Sequence, residues 1–212
     1  MTSVKKGDVV RLEYTGRMAK TGQVFDTTDE SVARKAGLWE SSGIYGPKCA
    51  VFGFGTIMKG MEEAIEQSQP GKSEDFVIEP EKAFGTRENA LVRMIAEKEF
   101  HKNQVQPQAG MTVTLDGAIA RVKSVTSGRV VLDFNHPLAG ERVIYSIKVH
   151  EVIADDAKRA EALLASLGVK GKISVVAGGI LVLLEKGTDA KKAEAAKRTI
   201  TAVVEGAEVM TV

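Results

Sequence analysis

Side chains able to do covalent or metal chemistry are few and scattered in this chain. His101, His136 and His150 are far apart and show no metal-ligand spacing, and His150 falls in an alternating strand pattern as a face residue. Cys49, the single cysteine, has no base close to it in sequence and reads as a structural thiol. There is no GxSxG elbow, no phosphate-binding loop and no dinucleotide fingerprint. Gly53-Phe54-Gly55 lacks the lysine-serine pair that would make it a phosphate cradle. What remains is an apolar set with one acid: Tyr14, Phe25, Asp26, Phe52, Ile57, Met58, Met61, Phe84 and Tyr145. From spacing alone an ordinary core is favoured over a pocket. No metal or cofactor is expected.

The elements that must position this set are arranged around residues 51–67, VFGFGTIMKGMEEAIEQ. Ile57, Met61, Ala64 and Ile65 fall on one face of a short helix, and Lys59, Glu62, Glu63 and Glu66 on the other. Thr56 is placed to cap the first turn. Gly60 costs such a helix roughly 1 kcal/mol relative to alanine, so its presence predicts close packing against a strand. Before the helix, Val10, Leu12 and Tyr14 alternate as in a half-buried strand, and Thr21-Gly22 turns the chain back through Val24-Phe25-Asp26. Residues 29–48 make a long connection with a helical turn at 31–35, of the kind used for lids and structured bulges. After the helix, Pro70-Gly71-Lys72 turns into a strand over 73–78, which Pro80 ends.

Further on, β-rich runs at 111–115, 118–125 and 129–134 are separated by Asp116-Gly117 and Ser127-Gly128, a strong hairpin signal. A long alternating strand follows over 143–152. The tail opens at Asp155-Asp156, with a helix over 157–167 and a hairpin of 170–177 and 180–184 across Gly178-Gly179. A second helix covers 189–205, though its β-branched end suits a strand equally, and a final strand covers 207–212. This is αββαβ, a small unit of its own.

Composition excludes several classes. A net charge of +1 gives no electrostatic reason to expect nucleic acid or an anionic membrane as partner. No apolar run approaches the roughly 18 residues needed to cross a bilayer. MTSVKKGDVV has two lysines but no apolar segment, so no export signal is expected. A lone cysteine rules out an intramolecular disulfide and agrees with a reducing compartment, so a soluble cytoplasmic protein of one to three domains is expected.

Tyr14-Thr15-Gly16, Gly22-Gln23-Val24-Phe25-Asp26, Ile57-Met58-Lys59-Gly60-Met61-Glu62 and Pro80-Glu81-Lys82-Ala83-Phe84-Gly85 stand in the order and spacing of the FKBP-type peptidyl-prolyl isomerases, which the chain resembles. The run Leu132-Asp133-Phe134-Asn135-His136-Pro137-Leu138-Ala139-Gly140 is similar to the SlyD-like branch in its long archaeal type. The resemblance implies an α+β fold, with an antiparallel sheet wrapped on a short helix over residues 1–85 and 131–154. It further implies a β-rich chaperone domain inserted in the flap over 86–130 and a small α+β domain over 155–212. The activity implied is cis–trans isomerisation of X–Pro bonds in unfolded or partly folded polypeptides.

Carried over, the prolyl pocket is walled by Tyr14, Phe25, Asp26, Ile57, Met58, Ala83, Phe84 and Tyr145, with Met61 as floor. Met61 stands where many relatives have Trp and Phe84 where many have Tyr, which removes a donor toward a ligand carbonyl and argues against tight macrolide binding. Relatives of the SlyD type often bear a histidine-rich metal-binding tail; there is no His after His150 here, so that property is not carried over. In the insert, Met111, Val113, Leu115, Ile119, Val122 and Val125 are more than about 45 residues can bury, which predicts an apolar platform for clients. In the tail, Val175, Ile180, Val182 and Leu184 predict packing against a partner or a second copy, a homodimer through the C-terminal domain. The competing expectations are a holdase whose pocket has lost turnover and a dimeric scaffold that presents the insert.

Overall fold

The computed structural model describes residues 4–211. Residues 1–3 and 212, the last position of the strand expected over 207–212, lie outside the described residues. The fold is α+β, and the chain divides into two compact units, residues 1–83 with 142–212 and residues 84–141.

In the first unit an antiparallel sheet is built on β1 (Val9–Met18). This strand pairs along its whole length with β9 (Val143–Ile153), which in turn pairs with β4 (Ser73–Ile78). On its other side β1 is shared: β3 (Lys48–Val51) takes its first half and β2 (Val24–Thr27) its second. The long connection after β2 holds α1 (Glu30–Ala36), capped by Asp29, whose carboxylate accepts from the amides of Ser31 and Val32. The organising helix, α2 (Lys59–Gln67), buries Gly60, Met61, Ala64 and Ile65 and packs on β4 and β9.

Gly60 answers the expectation of close packing. A Cβ there would run into the Ile78 side chain on β4 and lie 3.0 Å from the Lys82 carbonyl. The cap does not follow the sequence pattern. Met58 is the N-cap, without a side-chain bond, because the Thr56 hydroxyl donates instead to the Val51 carbonyl at 2.7 Å.

The tail forms α4 (Asp156–Ser166), the hairpin of β10 (Gly171–Val176) and β11 (Gly179–Leu184), α5 (Ala190–Val203) and β12 (Ala207–Thr211), which runs parallel to β11. The β-branched end of α5 is helical as far as Val203, with Ile200 wholly buried, and the helix stops at Val204, an extended C-cap that is buried as well. Val9, Val51 and Ile153 of the sheet join Ala160, Leu163, Val182, Leu184 and Ile200 of the tail in one hydrophobic cluster. Arg159 reinforces the junction, donating to the Ile153 carbonyl at 2.7 Å and pairing with Asp8 at 3.3 Å. Of the four apolar residues expected to seek a partner, Ile180, Val182 and Leu184 are therefore already covered, and Val175 alone is exposed, at 76%.

The second unit is wider than the insert drawn from the sequence, 84–141 against 86–130. It holds β5 (Val92–Ala96), α3 (Glu97–Lys102), β6 (Thr112–Leu115), β7 (Ala118–Thr126) and β8 (Arg129–Asp133), in the sheet order β5-β8-β7-β6. The boundary moves because β8 pairs with β5 and β7, and because Asn135 beyond it closes the base through bonds to the backbone of Glu88. At both hairpin turns the two central residues adopt positive φ, Asp116 and Gly117 at 51° and 79° and Ser127 and Gly128 at 50° and 74°. This is the geometry that matches strand twist in two-residue hairpins. Among the described residues no helix is long and apolar enough to cross a membrane.

Candidate active site

Tyr14, Phe25, Asp26 and Tyr145 come from three neighbouring strands and meet on one face of the sheet. Register explains it: Gly16 lies opposite Asp26 on β2 and opposite Tyr145 on β9. The Tyr145 ring lies 5.8 Å from that of Tyr14, tilted by 55°, and 5.7 Å from that of Phe25 in an edge-on arrangement. Edge-to-face and tilted pairs at this range are favourable contacts for aromatic quadrupoles. Tyr145 is 2% exposed, while Tyr14, Phe25 and Asp26 are half-buried.

Burial raises the pKa of both tyrosines above the ordinary value. For Tyr14 the Asp26 carboxylate adds to this as a negative neighbour and as acceptor of the hydroxyl proton. For Tyr145 the further causes are the charges of Asp26 and Tyr14. Both hydroxyls therefore remain protonated donors at neutral pH. The backbone of Tyr14 is pinned as well. Its amide donates to the Thr28 hydroxyl at 3.0 Å, and its carbonyl accepts from the Thr28 amide at 2.9 Å.

Sequence reasoning passed over one residue that the cluster needs. A Cβ at Gly16 would lie 2.8 Å from the Phe25 ring and 2.9 Å from that of Tyr145, so the rings occupy the space a side chain would take. A glycine inside an alternating strand is the signal for such close approach. The other site residues are placed more loosely. Met61 is 4% exposed on α2, Met58 caps that helix, and Ile57 lines a cavity of about 310 Å³ together with Tyr14. Ala83 ends the short turn Pro80–Lys82, half-buried. Phe52, at 8% exposed, is core. Phe84 belongs to the other unit, stacked on His136 with ring centroids 4.5 Å apart.

Within the insert, the expected client-binding residues separate. Ile119 is 70% exposed and Met111 40%, while Val113, Leu115 and Val125 pack partly against the core. Val122 is 1% exposed and is itself core, with Phe100, Ala120, Val130 and Leu132. It is withdrawn from the binding set. Met94, 60% exposed on β5, was not foreseen. Among the described residues no group of His, Cys, Asp and Glu is placed to hold a metal.

With this geometry in view, the likenesses to known proteins fall into place. Residues 1–108 match the family of FKBP-type peptidyl-prolyl cis-trans isomerases, and residues 93–138 match the FKBP26 IF domain. A short-type peptidyl-prolyl cis-trans isomerase from Methanocaldococcus jannaschii is 35% identical over 149 residues, 70% of this chain and 94% of that protein. The FKBP-type isomerase SlyD of Helicobacter pylori is 32% identical over 104 residues, 47% of this chain and 55% of the relative. An FKBP-type 16 kDa isomerase of Escherichia coli is 29% identical over 112 residues, 50% of this chain and 74% of the relative.

Proposed function

The chain belongs to the FKBP-type peptidyl-prolyl cis-trans isomerases, and from that premise we propose that it turns X–Pro bonds by desolvating them against the aromatic cluster while its insert holds unfolded clients. Rotation about the bond is slow because amide resonance must be lost, a barrier of about 18–20 kcal/mol. Water stabilises the planar, more polar amide through its carbonyl. A dry wall of rings removes that water and fits the twisted amide better than either planar isomer. Neither a nucleophile nor a general base is required. The observation that carries this reading is the packing of Tyr145 between Tyr14 and Phe25, with the Asp26 carboxylate beside the two tyrosines. Asp26 is assigned a positioning role, holding the Tyr14 hydroxyl. Ile57, Met58, Met61 and Ala83 are assigned to the same pocket by their match to the family's motifs.

Asp26→Ala and Tyr145→Ala should each lower turnover of a proline tetrapeptide by about tenfold, and Tyr145→Ala should also lose about 3–5 kcal/mol of stability because its buried ring leaves a cavity. Wild-type turnover in both would remove these residues from the site. The same assay on the unmodified chain separates the enzyme from a holdase without turnover.

Exposed Met94, Met111 and Ile119 support the chaperone part, since flexible thioethers and an aliphatic side chain suit contact with varied clients. Weak docking there raises the local concentration of client prolines. Self-association is assigned to the outer face of the tail's sheet, where Leu183 lies opposite Met210 and beside Leu181. Truncation at residue 154 would bare Val9, Val51 and Ile153, so Leu183→Lys is the cleaner probe. Light scattering should show a dimer for the unmodified chain and a monomer for the variant; a monomer for both would rule this face out. The cytoplasm is the proposed compartment, on the single thiol of Cys49.

A further inference from the structure

Helices α4 and α5 do more than complete a core. The cavity of about 310 Å³ that touches Tyr14 and Ile57 is closed on its other side by Leu163, Ser166, Leu167 and Thr199. Tyr14 is also the residue in ring contact with Tyr145, so this space adjoins the aromatic cluster. Lys48, Cys49 and Ser166 line it and line as well a larger cleft of about 890 Å³ between the sheet and α4, which continues past Ile153 and Ala162. Lys48 borders a third cavity, of about 290 Å³, with Phe25 and Asp26. Lys48 thus lines all three hollows, two of them bounded by residues of the aromatic cluster. The floor between them is β3, which among the described residues pairs with β1 alone.

We infer that α4 and α5 form the outer wall of the substrate groove, so that residues flanking the isomerised proline run from Tyr14 past Lys48 into the cleft beneath α4. Ser166 and Thr199 then act as specificity-determining residues. The inference rests on the prolyl-site assignment above. The occupant is an extended stretch of client polypeptide, because the cleft shares Lys48, Cys49 and Ser166 with the hollow at Tyr14 and Ile57. Its walls also mix apolar and charged groups as a polypeptide does. Ile153 and Ala162 lie beside Lys48, Lys158 and Glu161, and Arg11 is held by Glu151 at 3.3 Å. A tetrapeptide spans at most ~14 Å, whereas twelve residues span up to ~40 Å and can follow the groove.

The test uses the full chain and two peptides, a proline tetrapeptide and a twelve-residue peptide with the same four residues at its centre. In Thr199→Trp and Ser166→Trp the new ring fills the wall, and kcat/KM for the long peptide should fall about fivefold relative to that for the short one. An unchanged ratio in both folded variants overturns the inference, and so does a change that tracks an altered oligomeric mass. A second measurement needs no substitution. Cys49 is the single thiol and lines the groove, so peptides carrying an activated disulfide at successive distances from the proline should be captured fastest at one separation. Excess tetrapeptide should suppress that capture. Equal capture at every position sinks the groove even if tetrapeptide turnover is normal. Position-dependent capture without any turnover would keep the groove and remove the prolyl-site assignment.

Discussion

In the larger unit Tyr145 is 2% exposed and fixed between Tyr14 and Phe25, whereas in the insert Ile119 stands 70% exposed and Met94 60%. The first arrangement spends backbone variety on rigidity: a glycine makes room for two rings, and paired threonines hold the strand beneath them. The second leaves apolar side chains largely in solvent. A site that must tell a twisted amide from a planar one has to be preorganised, because misplacement of even 1 Å erases the distinction. A surface that must accept many sequences loses by being rigid.

The sharpest way to break this contrast is Gly16→Val. Its side chain would displace Phe25 and Tyr145, and tetrapeptide turnover should fall about a hundredfold. Capture of an unfolded, fluorescently labelled client should be unaffected. If client capture fell in parallel, the two functions would not be separable. Next comes replacement of residues 86–138 with a short glycine-rich loop, cut just inside the borders of the second unit, 84–141. Acceleration of a proline-limited refolding reaction should fall about tenfold, with tetrapeptide turnover within about twofold of the parent. Equal losses on both substrates would make the insert a mere support.

Smaller effects refine the picture inside the insert. Ile119→Ser should weaken client binding about threefold with stability unchanged, as an exposed side chain should. Val122→Ser, in the core, should destabilise by about 2–3 kcal/mol, and chemical denaturation would show it. The smallest effect is alkaline. Tyr14 and Tyr145 hold their protons more tightly folded than unfolded. Below pH ~10 both states are protonated and this contribution is constant. Above it the unfolded chain releases protons that the folded chain keeps, so stability falls as pH rises, until the folded hydroxyls ionise in turn. Between pH ~10 and ~11, Tyr145→Phe should flatten that slope by up to about one proton released on unfolding; an unchanged slope would mean that burial of this hydroxyl is not felt.

Most elements were legible because their signals are local. Asp116-Gly117 and Ser127-Gly128 announce their hairpins in two residues, and Asp155, where the tail is expected to open, caps α4, whereas Asp189, drawn inside its helix, proves to be the cap of α5. Errors arose where a side chain had two possible partners or a strand two apolar faces. Thr56 turned to Val51 rather than to the helix. On β7, Ile119 and Val122 are both apolar but lie out of phase by an odd step, and alternation alone could not say which pointed inward. The ring cluster could be listed from sequence but not assembled, since β1, β2 and β9 meet through long-range register. The tail's share in the core was hidden for the same reason: Val9 and Val51 carry no mark of the helix that covers them.

The pairing of β1 with β9 also sets a timetable for synthesis. Val9 pairs with Ile153 and Met18 with Val143, so the first strand made must wait for one of the later ones. Strands β5 to β8, by contrast, pair only among themselves among the described residues, with short separations along the chain. Local pairings close early and distant ones late. On the ribosome the insert's sheet can therefore be complete while Tyr14 still lacks Tyr145, so one unit is formed before the aromatic cluster of the other exists.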